Sequence, residues 1–232
     1  SGETAFHFNM DKLYAQGQSM GGMYTNLISA TEPRIKASVP TGAGGFWQYF
    51  TLATKLVPGK ELLPGLLGAS TELDWAHPAL SLLEMAWEPA EPYIYMPRLA
   101  RRPLPGHPVR PIYEPVGKDD SYFPTDLYDA VAGSYGHRQA GDQIWTTMQP
   151  VLEGQGLGGL IPYPIQDDVK SEDGTPYTGV VIQYIDPTGY DGHALYSQVP
   201  EVKHQIGCFL KSVLDTGKGK VVAPGPVGSP CQ

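Results

Sequence analysis

The alternation of apolar and polar positions along the chain predicts strands of a parallel sheet separated by helices. A short apolar run at residues 13–15 ends in a glycine-rich turn, and apolar residues then recur at helical spacing over residues 23–30. Ile35, Ala37 and Val39 alternate with polar residues before a second glycine cluster. We interpret this second run as a strand parallel to the first, with the intervening helix as the crossover connection.

The second half of the sequence predicts two further strands and a terminal helix. Residues 108–117 have the pattern of a strand, and residues 128–133 suggest the helix that follows it. Residues 179–185 are rich in β-branched side chains and bounded by turn residues, which makes them the clearest strand in the chain. Residues 199–215 predict the last helix, whereas residues 150–176 have little pattern and no assigned role.

A long insertion separates the second and third predicted strands. Residues 46–106 are apolar, rich in aromatic side chains and mainly helical, with helices predicted over residues 46–57 and 79–87. An insertion of this kind is typical of a cap above a substrate pocket, and the alternative is a piece of ordinary core. We therefore expect an α/β core formed by residues 1–45 and 107–232, with a helical cap between its two parts.

The composition of the chain argues against nucleic-acid-binding and transmembrane functions. The chain has 232 residues, with 16 Lys and Arg against 24 Asp and Glu, and its formal net charge of −8 argues against a nucleic-acid partner. Apolar residues make up 41% of the chain, enough for a sizeable core, but no apolar run approaches the ~20 residues of a transmembrane helix. The 28 glycines and 23 prolines follow no repeat, which favours a loop-rich globular enzyme.

The glycine-rich turn after the first strand carries the strongest candidate for a nucleophile. Its sequence is Gly-Gln-Ser-Met-Gly, so that Ser19 stands between Gly17 and Gly21 on a strand–turn–helix. We expect side chains at either glycine to collide with the neighbouring strand or helix. The backbone N–H of Met20 would lie at a helix N-terminus, where it can stabilise an oxyanion. The alternative is an ordinary glycine-rich turn.

A carboxylate and a histidine each follow a later predicted strand. Asp119 and Asp120 come directly after residues 108–117, and both are candidates for a catalytic acid. His193 follows the strand at residues 179–185, and none of the other five histidines follows a terminal strand in this way. The alternative for His193 is a histidine in a surface loop.

Ser19, Asp120 and His193 occur in the chain order serine, acid, histidine, and in this order the sequence resembles the α/β-hydrolase superfamily. In that superfamily the acid often lies three residues after a glycine and four before a proline, which Asp120 satisfies and Asp119 does not. The resemblance implies an α/β-hydrolase fold and an acyl-enzyme mechanism without cofactor or metal. Gln18, Trp47 and Tyr122 are further candidates, for substrate binding.

Residues 77–93 are similar to a stretch found in large secreted bacterial lipase-like α/β hydrolases. This similarity indicates an exported esterase or lipase, secreted or periplasmic. A disulfide between Cys208, in the last predicted helix, and Cys231, in the extended tail, would suit an oxidising compartment. The alternative is two unrelated thiols.

The resemblance also implies that part of the fold lies elsewhere. The nucleophile strand of an α/β hydrolase is usually the fifth of eight, whereas here it starts about twelve residues into the sequence. We therefore expect the N-terminal strands to be missing from this chain, and a separate N-terminal chain of the same precursor to complete the sheet, because an exposed strand edge favours aggregation. The alternative is a minimal hydrolase that replaces those strands by other means.

Three functions remain open at this stage. The first is a serine hydrolase that cleaves small-molecule carboxylic esters; the second is an amidase or peptidase on the same fold; the third is a catalytically inactive hydrolase fold used for binding. Residues 154–159 contain a glycine pattern that superficially resembles a dinucleotide fingerprint, but no clear strand precedes it. The acidic residues at 167–174 do not have the spacing of an EF-hand loop.

Overall fold

A computed structural model describes residues 7–68 and 73–232; residues 1–6 of the predicted core and 69–72 of the predicted cap lie outside it. Its strands are β1 (Leu13–Gln18), β2 (Ile35–Thr41), β3 (Ile112–Gly117), β4 (Arg138–Ala140), β5 (Leu160–Ile161), β6 (Val169–Lys170), β7 (Pro176–Tyr177) and β8 (Gly179–Tyr184). Its α-helices are α1 (Met20–Thr31), α2 (Trp47–Ala53), α3 (Gly59–Leu66), α4 (Pro78–Trp87), α5 (Pro92–Leu99), α6 (Thr125–Tyr135), α7 (Met148–Glu153), α8 (Leu195–Gln198) and α9 (Pro200–Thr216).

Six of these strands form one parallel sheet in the order β1-β2-β3-β8-β4-β5. The predicted α/β class, its four strands and its terminal helix are confirmed. The patternless region at residues 150–176 contains β5 at the edge of the sheet and the β6–β7 antiparallel pair. Among the described residues, β1 forms the opposite edge.

Both faces of the sheet are covered, as parallel sheets require. Within β8, Val181 packs on the side of α1, α5, α6 and α7, while Val180 and Ile182 pack on the side of α8 and α9. β8 lies between β3 and β4 in the sheet. The helices that follow β3 and β4, which are α6 and α7, pack on one face of the sheet. The helix α9, which follows β8, packs on the opposite face. The carboxyl end of β8 therefore stands between connections that leave the sheet in opposite directions.

Proline and glycine set the ends of several helices. Pro78, Pro92 and Pro200 occupy the first turns of α4, α5 and α9, where a missing N–H costs no hydrogen bond. Gly136 and Gly217 end α6 and α9 with φ angles of 78° and 76°, which glycine adopts without strain.

The helices between β2 and β3 belong to two different cores. Leu52, Leu73 and Leu80 form a small apolar cluster of their own within α2 to α4 and the residues between them. In α5, by contrast, Met96 and Leu99 are completely buried in the main core beneath the sheet. The last helix of the segment 46–106 is therefore anchored in the core.

The predicted pairing of the two cysteines is confirmed. Cys208 of α9 and Cys231 of the tail form a disulfide with a Cα–Cα distance of 5.3 Å. The tail is also held upstream, because Val221 exchanges backbone hydrogen bonds with Ile165 at 2.8 and 2.9 Å.

Removing this disulfide should lower stability without changing the fold. The bridge spans 23 residues of sequence, for which restricting the unfolded chain is worth about 3 kcal/mol. Urea unfolding of a Cys208→Ala/Cys231→Ala double variant should show a loss of this size. Wild-type protein unfolded in reductant should match the variant; equal stability of oxidised and reduced protein would contradict the expectation.

Within the described ranges, no helix is both long and apolar enough to cross a bilayer.

Candidate active site

The three residues expected from the sequence follow strands that end at the same edge of the sheet. Ser19 comes directly after β1, Asp120 follows β3, and His193 follows β8. Because these strands are parallel, their carboxyl ends lie together, and ligands bind at this edge in α/β sheets.

Ser19 occupies a strained turn between β1 and α1. Its backbone angles are φ 58° and ψ −124°, a region that a side chain adopts only at a cost of about 1–3 kcal/mol. Its N–H donates to the Thr41 carbonyl at 2.9 Å, and its hydroxyl does not cap the helix that it begins. Met20 is the first residue of α1, so its N–H belongs to the group that a helix leaves without an internal partner.

The two glycines of this turn are not equivalent, and the expectation for Gly21 is wrong. A Cβ atom at Gly17 would overlap the backbone carbonyl of Gly21. A Cβ at Gly21 would meet nothing within 4 Å, because that position of α1 faces open space. The second tight position is Gly22, where a Cβ would lie 2.8 Å from the Ala43 side chain.

Asp120 and His193 are in direct contact. Nδ1 of His193 lies 2.9 Å from Oδ2 of Asp120, and the Asp120 side chain is buried. The other carboxylate oxygen accepts the backbone N–H groups of Tyr122 and Phe123 at 2.7 and 2.9 Å. Asp119 is instead an exposed turn residue with φ 60°. A strained serine between strand and helix thus shares one sheet edge with a carboxylate–histidine pair in the order serine, acid, histidine.

The chain has an α/β fold, with a parallel six-stranded sheet between helices on both faces. No protein-family model matches its sequence, and no curated protein matches it significantly. Among solved structures it is similar to a 2,6-dihydroxy-pseudo-oxynicotine hydrolase (19% identity, TM-score 0.43, 96% of this chain and 45% of that one). It is also similar to an acylaminoacyl peptidase in complex with a chloromethyl ketone (14%, 0.46, 96% and 26%) and to a Pyrococcus furiosus esterase (11%, 0.43, 88% and 54%).

The chain therefore spans between about a quarter and about half of the length of these structures. At such identities and TM-scores, the likeness supports no inference about substrate or chemistry.

The main chain of His193 is held on both sides. Its N–H donates to Oδ1 of Asp191 at 2.9 Å, and its carbonyl accepts a hydrogen bond from the Gln18 side chain. Asp191 also accepts the backbone N–H and the hydroxyl of Ser121, at 3.0 and 2.5 Å. Burial alone would raise the pKa of Asp191, but the hydrogen bonds from Ser121 and His193 outweigh it and lower this pKa. The acid loop, the histidine loop and the serine turn are thereby tied together.

These loops approach each other at two glycines. A Cβ at Gly117 would overlap the Gly192 carbonyl, and a Cβ at Gly192 would overlap the Lys118 carbonyl. The close approach brings the Asp120 carboxylate within hydrogen-bond distance of the His193 ring.

Aromatic side chains connect the His193 ring to α2. The Tyr122 ring stacks on it with centroids 4.0 Å apart, and Phe123 lies at 5.6 Å. Phe50 of α2 in turn lies 5.2 Å from Phe123. Trp47 packs on Phe50 and against the main core, and it donates its indole N–H to Ala90.

The structure brings Asp120 and His193 together but does not join Ser19 to them by a hydrogen bond. Across the described residues, the Ser19 hydroxyl makes no hydrogen bond to the His193 ring. The link from the serine turn runs through the neighbouring Gln18, whose amide faces the His193 carbonyl.

Tyr128 and Asp191 contribute to the site but were not predicted from the sequence. The Tyr128 hydroxyl donates to Oδ2 of Asp120 at 2.5 Å, on the same oxygen that contacts His193. Burial, and then the charge of Asp120, raise the pKa of Tyr128 well above its ordinary value, which keeps it a donor. No sequence motif predicts that Tyr128 contacts Asp120. Asp191, by contrast, lies two residues before His193, which is the spacing of an Asx turn.

Asp191→Ala should lower kcat about 10- to 100-fold with little change in KM, because His193 would lose its main-chain anchor. Asp191→Asn keeps an oxygen that can accept the same N–H groups and should restore most of kcat. The check is steady-state kinetics on an ester, with Asp119→Asn as the matched control on the exposed turn. Equal losses in the Ala and Asn variants would argue against an anchoring role.

A second histidine–carboxylate pair lies away from this edge. His137 Nδ1 is 3.1 Å from Oε2 of Glu114, and both side chains are enclosed in the core. Burial raises the pKa of Glu114 well above its ordinary value and lowers that of His137 to about 3. Burial thus disfavours the charged form of both groups, and the enclosure of the pair separates it from substrate.

Two carboxyl groups hold the start of α2. Glu91 accepts the N–H groups of Phe46 and Trp47 at 2.8 and 3.0 Å, and Glu84 accepts that of Gln48 at 2.9 Å. Burial, followed by the hydrogen bond to Glu91, raises the pKa of Glu84 to about 7. One proton is therefore retained on this pair at weakly acidic pH.

This proton makes the stability of the protein depend on pH. Because the folded pKa of Glu84 exceeds the ordinary value of 4.5, its stabilisation is complete below about pH 4.5 and is lost as pH rises to about 7. Glu84→Gln keeps both hydrogen bonds without titrating, so urea unfolding should show a smaller loss of stability from pH 5 to pH 8 than in wild type. Glu61→Gln, on α3, is the control; identical losses in wild type and Glu84→Gln would refute the assignment.

Proposed function

We propose that the chain is a serine hydrolase that cleaves carboxylic esters through an acyl-enzyme. Ser19 is the nucleophile, His193 the general base and acid, and Asp120 the group that orients His193. The observation that carries this proposal is the 2.9 Å contact between Asp120 and His193 at the sheet edge where Ser19 occupies its strained turn.

In the proposed reaction, His193 takes the proton of the Ser19 hydroxyl as the serine oxygen attacks the ester carbonyl. The Asp120 carboxylate, bound to Nδ1, selects the tautomer whose Nε2 is free to accept that proton. The Met20 N–H stabilises the tetrahedral oxyanion, and the alcohol leaves with the proton from His193. Water then attacks the acyl-enzyme with His193 as base.

The cap segment, residues 46–106, is the proposed source of substrate specificity. A cavity of about 640 Å³ lies between α2, α3 and Pro124, one residue beyond the Phe123 ring that contacts His193. A second cavity of about 410 Å³ is lined by Leu52, Leu73 and Trp75. The walls are mixed, because Lys60 lines both cavities beside apolar side chains such as Leu52. The apolar part of the lining supports esters with an apolar acyl or aromatic part, for which Trp47 and Tyr122 are candidate contacts.

A fluorophosphonate probe tests the nucleophile directly. The probe should modify Ser19 of the native protein, as located by peptide mass analysis, and Ser19→Ala should not be labelled. Ser121→Ala is the control, since it removes another site-lining hydroxyl. A folded protein that refuses the probe would contradict the hydrolase and favour a binding function.

A substrate panel decides between ester and amide chemistry. We expect turnover of p-nitrophenyl esters of increasing acyl length, with much slower turnover of the matching anilides. Faster cleavage of the anilides than of the esters would show that the protein is an amidase or peptidase and not an esterase.

A partner polypeptide and an oxidising location complete the proposal. β1 pairs with β2 on one side only among the described residues, so its other edge offers N–H and C=O groups to a further strand, which we assign to an N-terminal chain of the same precursor. The disulfide suits a secreted or periplasmic protein. Denaturing mass analysis of active, natively purified protein should reveal the second chain; a lone 25.1 kDa species would refute it.

A further inference from the structure

A second crevice opens at the carboxyl edge of the sheet, on the side of β8 away from β3. It has a volume of about 390 Å³ and is lined by residues that follow β4, by the end of β8, and by the start of α9. Its position follows from topology, because β4 and β8 are neighbours whose following helices lie on opposite faces. Crevices of this kind are where parallel sheets bind ligands, and the volume suits a small molecule.

The polar groups of this crevice are acidic and phenolic. Asp142 and Glu201 line it, together with the rings of Tyr163 and Tyr184, and none of the described lining residues is Lys, Arg or His. Asp186 stands between the lining residues Ile185 and Pro187 without lining the crevice itself, and its Oδ2 is buried without a hydrogen-bond partner. The site therefore has negative charge with no fixed cation in its wall.

Each phenol lies near enough to a carboxylate of the crevice for that charge to raise its pKa. Burial and the charge of Asp142 raise the pKa of Tyr163, whose hydroxyl is buried without a hydrogen-bond partner. Glu201 contributes to raising the pKa of Tyr184, after burial and the neighbouring Tyr113. Gly141, with φ 73°, leaves room for the Tyr163 hydroxyl, because a Cβ there would lie 2.7 Å from it.

The remaining wall is apolar and rigid. Ile144, Ile182 and Val199 line it, and the Gln183 side chain is fixed at its base by the backbone N–H groups of Ile144 and Trp145, at 2.8 and 3.0 Å. This wall suits a ligand with a hydrocarbon or aromatic body, not a bare ion. In agreement, no three His, Cys, Asp or Glu residues of the described ranges are grouped closely enough to hold a metal ion.

The start of α9 does not make the crevice an anion site. Pro200 has no N–H to offer, and Glu201 places a carboxylate in the first helical turn. The Glu201 carboxylate thus offsets the partial positive charge at the N-terminus of α9, and Pro200 removes one of its N–H donors. The net charge of −8 also favours approach of a cation over that of an anion.

We propose that the crevice between β4 and β8 binds a small organic cation, an alkylammonium or guanidinium group on an apolar body. The cationic head lies between Asp142 and Glu201 and contacts the faces of the two tyrosines, an arrangement that attracts cations through both charge and ring quadrupole. The body fills the apolar wall. This site is separate from Ser19 and does not depend on the proposed hydrolysis.

Calorimetric titration with benzyltrimethylammonium tests the proposal, using the Ser19→Ala protein so that turnover plays no part. We expect saturable binding that falls at least tenfold in an Asp142→Asn/Glu201→Gln variant and is unchanged in Asp215→Asn, which removes a carboxylate further along α9. Ile185→Trp, at a half-exposed wall of the crevice, should also weaken binding while leaving both carboxylates in place.

Benzoate and benzyl alcohol are the ligand controls. Both should bind at least tenfold more weakly than the cation, because neither offers positive charge to the carboxylates. Equal affinity for benzoate, an undiminished affinity in the double variant, or no saturable binding of the cation to folded protein would each overturn the proposal.

Discussion

Replacing His193 by alanine is expected to lower kcat/KM for an ester about 10⁴- to 10⁶-fold while leaving the fold intact. Without the imidazole, no group next to Ser19 can take its proton, and the Asp120 carboxylate loses the ring that it orients. The His193 side chain is 13% exposed and its main-chain hydrogen bonds to Asp191 and Gln18 do not involve the ring. Circular dichroism should therefore show a retained fold, while the urea midpoint should fall because a mostly buried ring stacked on Tyr122 is lost.

The combined variant sharpens this expectation. If Ser19 and His193 act as one unit, Ser19→Ala/His193→Ala should be no slower than either single variant, because the residual rate then comes only from binding and oxyanion stabilisation. Losses that multiply would indicate two residues acting independently. If His193→Ala alone kept more than about a tenth of the wild-type kcat/KM, His193 would not be the catalytic base.

The site residues that could be predicted from the sequence are those that a short local pattern marks. Ser19, Asp120 and His193 each follow a strand long enough to show its own pattern, and their order along the chain is visible without a structure. Asp191 has the local spacing of an Asx turn, but its second contact, to Ser121, joins segments 70 residues apart and shows only in the structure. Tyr128 contacts Asp120 from the helix that follows it, and no local pattern marks this contact.

The strands at the far edge of the sheet escaped prediction for a different reason. β4 is three residues long, too short to show a period of two, and its central residue, Gln139, is a completely buried polar side chain. Its amide oxygen accepts a hydrogen bond from Gln149 at 2.6 Å, and this bond lowers the free-energy cost of burying a polar side chain. A buried strand with a polar centre lacks the apolar pattern by which strands are predicted. The crevice proposed for a cation lies beside this strand, in the part of the fold that sequence patterns showed least clearly.

Gly17→Ala is expected to destabilise the protein by about 3 kcal/mol or more and to abolish labelling of Ser19 by a fluorophosphonate. The new Cβ would overlap the carbonyl of Gly21 and lie 2.8 Å from the backbone N of Gly22. Both obstacles are backbone atoms of α1, so relief requires the helix to move away from β1. That movement would carry the Ser19 hydroxyl and the Met20 N–H out of place together.

Gly21→Ala is the matched control, because it makes the same chemical change four residues later in the same turn. Its Cβ would point into open space, and alanine in a helix is favoured over glycine by up to about 1 kcal/mol. This variant should unfold at the same or a higher urea concentration than wild type and should still be labelled. Similar losses in both variants would show that the turn is tight on both sides, contrary to the path of α1 in the structure.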